Sequence, residues 1–121
     1  MEQYKLGAME SRFADLIWEN APLSSGELVR ICEKELEWKK STTYTMLRRL
    51  CQRGIFQNEG GLVRPLMSRE DFQAQQSRLF VQETFEGSLP AFVTAFTRQK
   101  KLSEKDIAFL EGLIRKEKEG R

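Results

Sequence analysis

The stretch from Trp38 to Gly54 constrains this chain more than any other. Thr43, Met46, Leu47 and Leu50 recur at i, i+3, i+4 and i+7, the stripe of an amphipathic helix with one buried side. The opposite side carries Ser41, Thr45, Arg48, Arg49 and Gln52. From Trp38 to Arg64 there are six Lys or Arg against the single acid Glu59, a local +5 in a chain whose net charge is only +2. A helix that buries one side and offers Ser, Thr, Gln and Arg on the other has what reading a DNA major groove requires. A solvated face on an ordinary surface helix has the same composition, so the flanking segments must decide between the two.

Upstream, Met9, Phe13, Leu16 and Ile17 repeat at helical spacing. Asn20-Ala21-Pro22 ends that helix, because proline disfavours helix at the residue before it. Ser24 followed three residues later by Glu27 is a capping box, and it opens a second helix with the stripe Leu28, Ile31, Cys32 and Leu36. Ser41 is placed to cap the third helix, which runs over about 41–53, and Gly54 stands where a C′ glycine belongs. Ile55 to Glu59 then reads as a strand, Gly60-Gly61 as a tight hairpin turn, and Leu62 to Arg64 as the returning strand, closed by Pro65. Three helices followed by a hairpin make a winged helix-turn-helix. On this wing Arg64 serves either a phosphate contact or simple solvation. Residues 1–6 read as a loose lead-in.

From Ser68 the pattern changes. Ser68 followed by Arg69, Glu70 and Asp71 opens a helix with acids in its first turn, and Gly87-Ser88 breaks it. Pro90 stands near the first position of the next helix, and a Ser103–Asp106 box opens a last one, whose charged end from Lys116 to Arg121 is expected to fray. These helices carry Phe72, Leu79, Phe80, Phe85, Leu89, Phe92, Val93, Phe96, Ile107, Phe109, Leu110, Leu113 and Ile114. An appendage of about 50 residues cannot hide that much apolar surface within itself. The surface is covered either by the N-terminal half or by a second copy, and a symmetric dimer is the economical solution. The fold class is therefore mainly α: a winged helix-turn-helix DNA-binding domain with a short β-hairpin wing over 1–67, followed by a helical dimerisation domain over 68–121.

Composition excludes most alternatives. The chain has 121 residues and no histidine, which removes Ser-His-Asp, Cys-His and zinc-hydrolase constellations. Gly60-Gly61 is an isolated pair, not a phosphate-cradling loop. The two cysteines, Cys32 and Cys51, fall inside expected helices and read as small buried apolar residues. An enzyme, a metal site and a cofactor are not expected. There is no apolar run of the roughly 20 residues a membrane span needs, and no signal-peptide pattern, so the expected location is cytoplasmic.

The order Leu6, Glu10, Leu16-Ile17-Trp18, Ala21-Pro22-Leu23-Ser24, Glu27-Leu28, Trp38, Thr42, Thr45, Leu47, Arg49-Leu50 and Gly54 resembles the penicillinase repressor family of winged-helix regulators, the BlaI/MecI/CopY type. The likeness continues at Gly87-Ser88-Leu89, Phe96 and Leu102-Ser103-Glu104. It implies a repressor that sits as a homodimer on a palindromic double-stranded DNA operator. By that carry-over Lys40, Thr42, Thr45 and Arg48 lie near bases or the adjacent backbone, while Arg49, Arg53 and Arg64 meet phosphates. Lys39, Ser41 and Tyr44 complete the expected DNA face. Dimerisation falls to Leu79, Phe80, Phe85, Leu89, Phe92, Val93, Phe96, Ile107, Leu110, Leu113 and Ile114.

The chain also departs from the family pattern. The wing is short, only Gly61 to Pro65. Lys39 follows Trp38 where the family usually has Ser. In the antibiotic-resistance members a membrane sensor-protease cuts within an Asn-Phe pair, and the matching pair here is Ala95-Phe96. The cysteine-rich tail of the copper-responsive members is missing. A winged-helix adaptor that binds protein and not DNA is the competing reading, and the local +5 charge argues against it.

Overall fold

The computed structural model describes residues 6–120. Its elements follow the order α1 (Ala8–Asn20), β1 (Leu23–Ser24), α2 (Ser25–Leu36), α3 (Lys40–Gln52), β2 (Phe56–Glu59), β3 (Leu62–Pro65), α4 (Arg69–Phe85), α5 (Leu89–Gln99) and α6 (Glu104–Glu119). This is a winged helix followed by a helical C-terminal part. Residues 1–5 of the expected lead-in, and Arg121, lie outside the described residues.

Local signals place most element ends. Ser24 caps α2: its Oγ accepts the Glu27 N–H at 3.0 Å and donates to Glu27 Oε1 at 3.3 Å. Ser68, Ser88 and Ser103 likewise accept the N–H of Asp71, Ala91 and Asp106 at 3.0, 3.1 and 3.0 Å, each satisfying a first-turn donor that the helix cannot pair itself. Gly54 takes φ +79 after α3, with its N–H on the Cys51 carbonyl at 3.0 Å. Gly60 and Gly61 both have positive φ, +60 and +88. A two-residue hairpin turn whose twist matches its strands needs that at both central positions.

The structure corrects two expectations, the cap of α3 and the number of strands. Ser41 does not cap α3. The helix starts one residue earlier, at Lys40, with Lys39 at the N-cap and no side-chain cap bond. The cause lies upstream, where Glu37 ends α2 in the left-handed region (φ 56), the Trp38 N–H closes onto the Cys32 carbonyl at 3.3 Å, and the Trp38 ring meets Phe13 at 5.3 Å between centroids. That closure re-aims the chain before Ser41 is reached. The sheet has three strands in the order β1-β3-β2, because Leu23 and Ser24 pair antiparallel with Val63 and Leu62. By packing, the chain forms one compact unit that ends at Phe80, within α4, and a second that begins at Val81. Helix α6 runs to Glu119, with Glu104 and Asp106 in its first turn and Lys116 and Lys118 in its last, the arrangement that the helix dipole favours.

In the first unit Phe13, Ala14 and Ile17 of α1, Leu28, Cys32 and Leu36 of α2, and Leu47 and Leu50 of α3 close on Leu23, Ile55, Phe56 and Val63. Phe72 joins this core from α4. Trp18 lies beside both Phe56 and Phe72, at centroid distances of 5.0 and 5.5 Å, and donates its indole N–H to the Met67 carbonyl at 3.1 Å. This aromatic row is why the start of α4 belongs with the wing and α1.

In the second unit α5 and α6 bury no residue. Phe92 contacts Phe85 and Phe96 at 5.7 and 6.1 Å between centroids, yet Leu89 is 60%, Phe96 57%, Leu113 48% and Leu110 37% exposed. Among the described residues no helix is long and apolar enough to cross a membrane.

Candidate nucleic-acid interface

The core fixes which way α3 faces. Thr43, Leu47 and Leu50 are buried and Met46 is half-buried, so Ser41, Thr45 and Gln52 fall at the outer crest, with Arg48 on one flank and Thr42 and Arg49 on the other. All six are exposed, as are Lys39 and Lys40 at the helix start. With no acid in the first turn and no side-chain cap, the start of α3 presents unpaired N–H groups beside two ammonium groups. That combination attracts anions through both hydrogen bonds and the helix dipole.

Tyr44 is half-buried and positions this surface. Its hydroxyl donates to Ser25 Oγ at 3.4 Å, and the Ser25 N–H donates to the Gly61 carbonyl at 2.8 Å. The wing-side edge of α3, the first residue of α2 and the hairpin turn therefore meet at one place. Ser25 was missed by sequence reasoning, although the Ser24 cap already set it at the first turn of α2. Asn58 was also missed, and no local signal marks it. Arg64 is exposed on β3 opposite Gln57, three residues beyond the turn at Gly61.

Arg53 is placed differently from the other cations. Its Nη1 lies 3.3 Å from Glu10 Oε2, and both side chains are mostly buried. This ion pair joins the end of α3 to α1, and Glu10 Oε2 is buried with no well-aligned hydrogen bond. Truncating the guanidinium strands the carboxylate. Arg53→Ala is expected to lower stability by about 1–2 kcal/mol, and Arg53→Ala combined with Glu10→Gln to recover most of that loss, in urea titrations of the two variants. Equal losses in both variants would rule out the pair as the cause.

Both thiols hold their protons more firmly than a free cysteine does. Burial pushes the Cys32 thiol up to about 11 from 9.0, against a smaller opposing effect of the neighbouring Thr43 side chain. Burial also raises Cys51, offset in part by a hydrogen bond from the Asn58 backbone. The folded state thus holds the Cys32 proton at a pH where the unfolded chain has released it. The associated stability is complete below pH 9 and declines as pH rises towards 11, by on the order of 2 kcal/mol. Cys32→Ala should remove this decline, as read from the difference between the two proteins' denaturation curves at pH 8 and pH 10.5.

Of the apolar residues expected at a dimer contact, Leu79 is already 6% exposed within the chain, and Phe85 and Phe92 are half-buried. Phe80, Leu89, Val93, Phe96, Ile107, Leu110, Leu113 and Ile114 are exposed. Ala95 and Phe96 lie inside α5.

A basic third helix, a capped second helix and a glycine turn converging on one surface define a winged-helix protein. The chain belongs to the penicillinase repressor family, whose sequence model matches residues 6–116. It is similar to the methicillin resistance regulatory protein MecI of Staphylococcus aureus strain Mu50, with 21% identity over 117 residues, covering 93% of this chain and 95% of that protein. It is also similar to the penicillinase repressor of Bacillus licheniformis, with 25% identity over 107 residues, covering 85% and 84% of the two chains. The members of this family are transcriptional regulators, not enzymes.

Proposed function

We propose that this protein is a cytoplasmic transcriptional repressor that binds a palindromic operator as a homodimer, with α3 in the major groove. The observation that carries this reading is the exposed side of α3. Thr42, Thr45 and Arg48 stand exposed beside Lys39, Lys40 and Arg49, on a helix anchored from behind by Thr43, Leu47 and Leu50. The hydroxyls suit base edges, the lysines and Arg49 suit phosphates, and the Arg48 guanidinium suits either. The uncovered faces of α5 and α6 supply the reason for a second copy, and two copies span two half-sites.

The Ala95–Phe96 bond, as a target of a membrane sensor-protease, belongs to the same reading. It lies within α5, so cleavage requires that helix to open, and α5 has no buried residue to resist opening.

A gel-shift titration tests the proposal. A palindrome from the protein's own promoter should bind more tightly than random duplex, and affinity should fall steeply with salt as condensed counterions are released. Equal binding to both duplexes, or no binding at low salt together with a stable complex with another protein, would favour the adaptor role instead.

A further inference from the structure

Tyr44, Arg48 and Cys51 recur along the wing-side flank of α3, and across from them lies strand β2. Between the two elements is an open notch of about 240 Å3, lined by Tyr44, Leu47, Arg48, Cys51 and Asn58. Its floor is apolar: Leu47 is buried and the Cys51 sulfur is half-buried beneath the Asn58 backbone. Its rim is polar, with the exposed Arg48 guanidinium on the helix side and the exposed Asn58 carboxamide on the strand side. Neither side chain has an ion-pair or hydrogen-bond partner among the described residues, and no carboxylate lines the notch.

We infer that this notch seats one phosphate of the operator backbone, held by Arg48 and Asn58, so that Arg48 positions the helix and does not read a base. The inference rests on the duplex-binding reading above. The geometric reason is the fit of a helix to its groove. A helix with its side chains is roughly 10–12 Å across, and the major groove is roughly 12 Å wide. Residues at the crest therefore meet base edges, while residues on the flanks meet the sugar-phosphate walls. Arg48 lies on a flank, and a second element stands beside it to close the site. Arginine's planar fork and a carboxamide N–H suit a tetrahedral oxyanion. Tyr44, tied to Ser25 at 3.4 Å, holds the adjacent end of the notch in place.

Cys51 reports on occupancy from within the notch. The test uses the full chain with the promoter palindrome and with random duplex. N-ethylmaleimide labelling is followed by peptide mass spectrometry, which separates Cys51 from the fully buried Cys32. Saturating duplex should slow labelling of Cys51 by tenfold or more, as expected for a thiol covered at an interface (~10-fold for each 1.4 kcal/mol of lost access). Arg48→Ala should weaken both duplexes by the same factor and reduce the salt slope by about one. Asn58→Ala should weaken both by about tenfold, the loss of one hydrogen bond to a charged acceptor. Asn58→Asp, which keeps the size and adds a carboxylate, should weaken both further. Both positions are exposed, and circular dichroism verifies that each variant is folded.

Cys51 labelling unchanged by saturating duplex would overturn the inference and leave duplex binding intact. Loss of affinity in Arg48→Ala for the palindrome alone would do the same, because that is the signature of base reading. Failure to bind any duplex would overturn both.

Discussion

Leu110→Glu combined with Leu113→Glu is expected to make the protein monomeric and to lower operator affinity by about 10²- to 10⁴-fold. The size follows from avidity, since two linked half-site contacts raise the effective concentration of the second by that order. The chain itself should remain folded, because α6 buries no residue and these two side chains are 37% and 48% exposed. Carboxylates at both positions place like charges on a face that, by the proposal, meets its own copy across a dyad. Sedimentation at micromolar concentration reads the mass, and a gel shift on the palindrome reads the affinity. A variant that still sediments as a dimer, or a parent chain that is already monomeric, would remove α6 from the proposed contact. Binding that becomes equal on one half-site and two would show that each protomer acts alone.

Phe56→Ala is expected to cost about 3–5 kcal/mol, the range for removing a buried phenylalanine that leaves a cavity behind. Phe56 is fully buried and lies beside Trp18 at 5.0 Å between centroids, and Trp18 in turn meets Phe72 at 5.5 Å. Phe56 therefore supports the Trp18 ring that joins the wing strand, the end of α1 and the start of α4. Domains of this size are stable by only about 5–15 kcal/mol, so the loss is a large part of the total. Urea unfolding followed by tryptophan fluorescence measures it, with Leu62→Ala on the exposed face of β3 as the control, expected to change stability by less than about 0.5 kcal/mol. A Phe56→Ala cost below about 1 kcal/mol would mean that the aromatic row does not hold the wing. The same loss should reach operator binding, because β2 is the strand that faces the flank of α3.

The consequences of Arg53 and Arg48 separate along the same helix. Both belong to the basic stretch after Trp38, and by charge alone both suit a phosphate. Arg53 is turned towards α1 and occupied by Glu10 at 3.3 Å, so its loss should register first as instability. Arg48 is on the opposite flank with no such partner, so its loss should register as weaker binding at unchanged stability. Comparing the two alanine variants by melting and by gel shift tests this division directly.

What the sequence by itself determined is what depends on neighbours a few positions away. The stripe of Thr43, Leu47 and Leu50 defines a buried side for the third helix. The serines at 24, 68, 88 and 103 begin helices, and Gly54, Gly60 and Gly61 supply positive φ where the chain must turn. A capping hydroxyl reaches only two or three residues, and helical periodicity repeats every three or four, so such features can be read in order along the chain. Only the tertiary structure decided the rest. Leu23 and Ser24 become a strand because β3, about 40 residues later, lies alongside. Lys39, not Ser41, precedes α3 because Trp38 docks on Phe13. Phe72 joins the winged-helix core because Trp18 is there to meet it. Arg53 faces Glu10, and Arg48 faces Asn58, because α1 and the wing pack on opposite sides of one helix. Such choices depend on which distant surfaces come together, and no local pattern encodes a partner that only folding brings near.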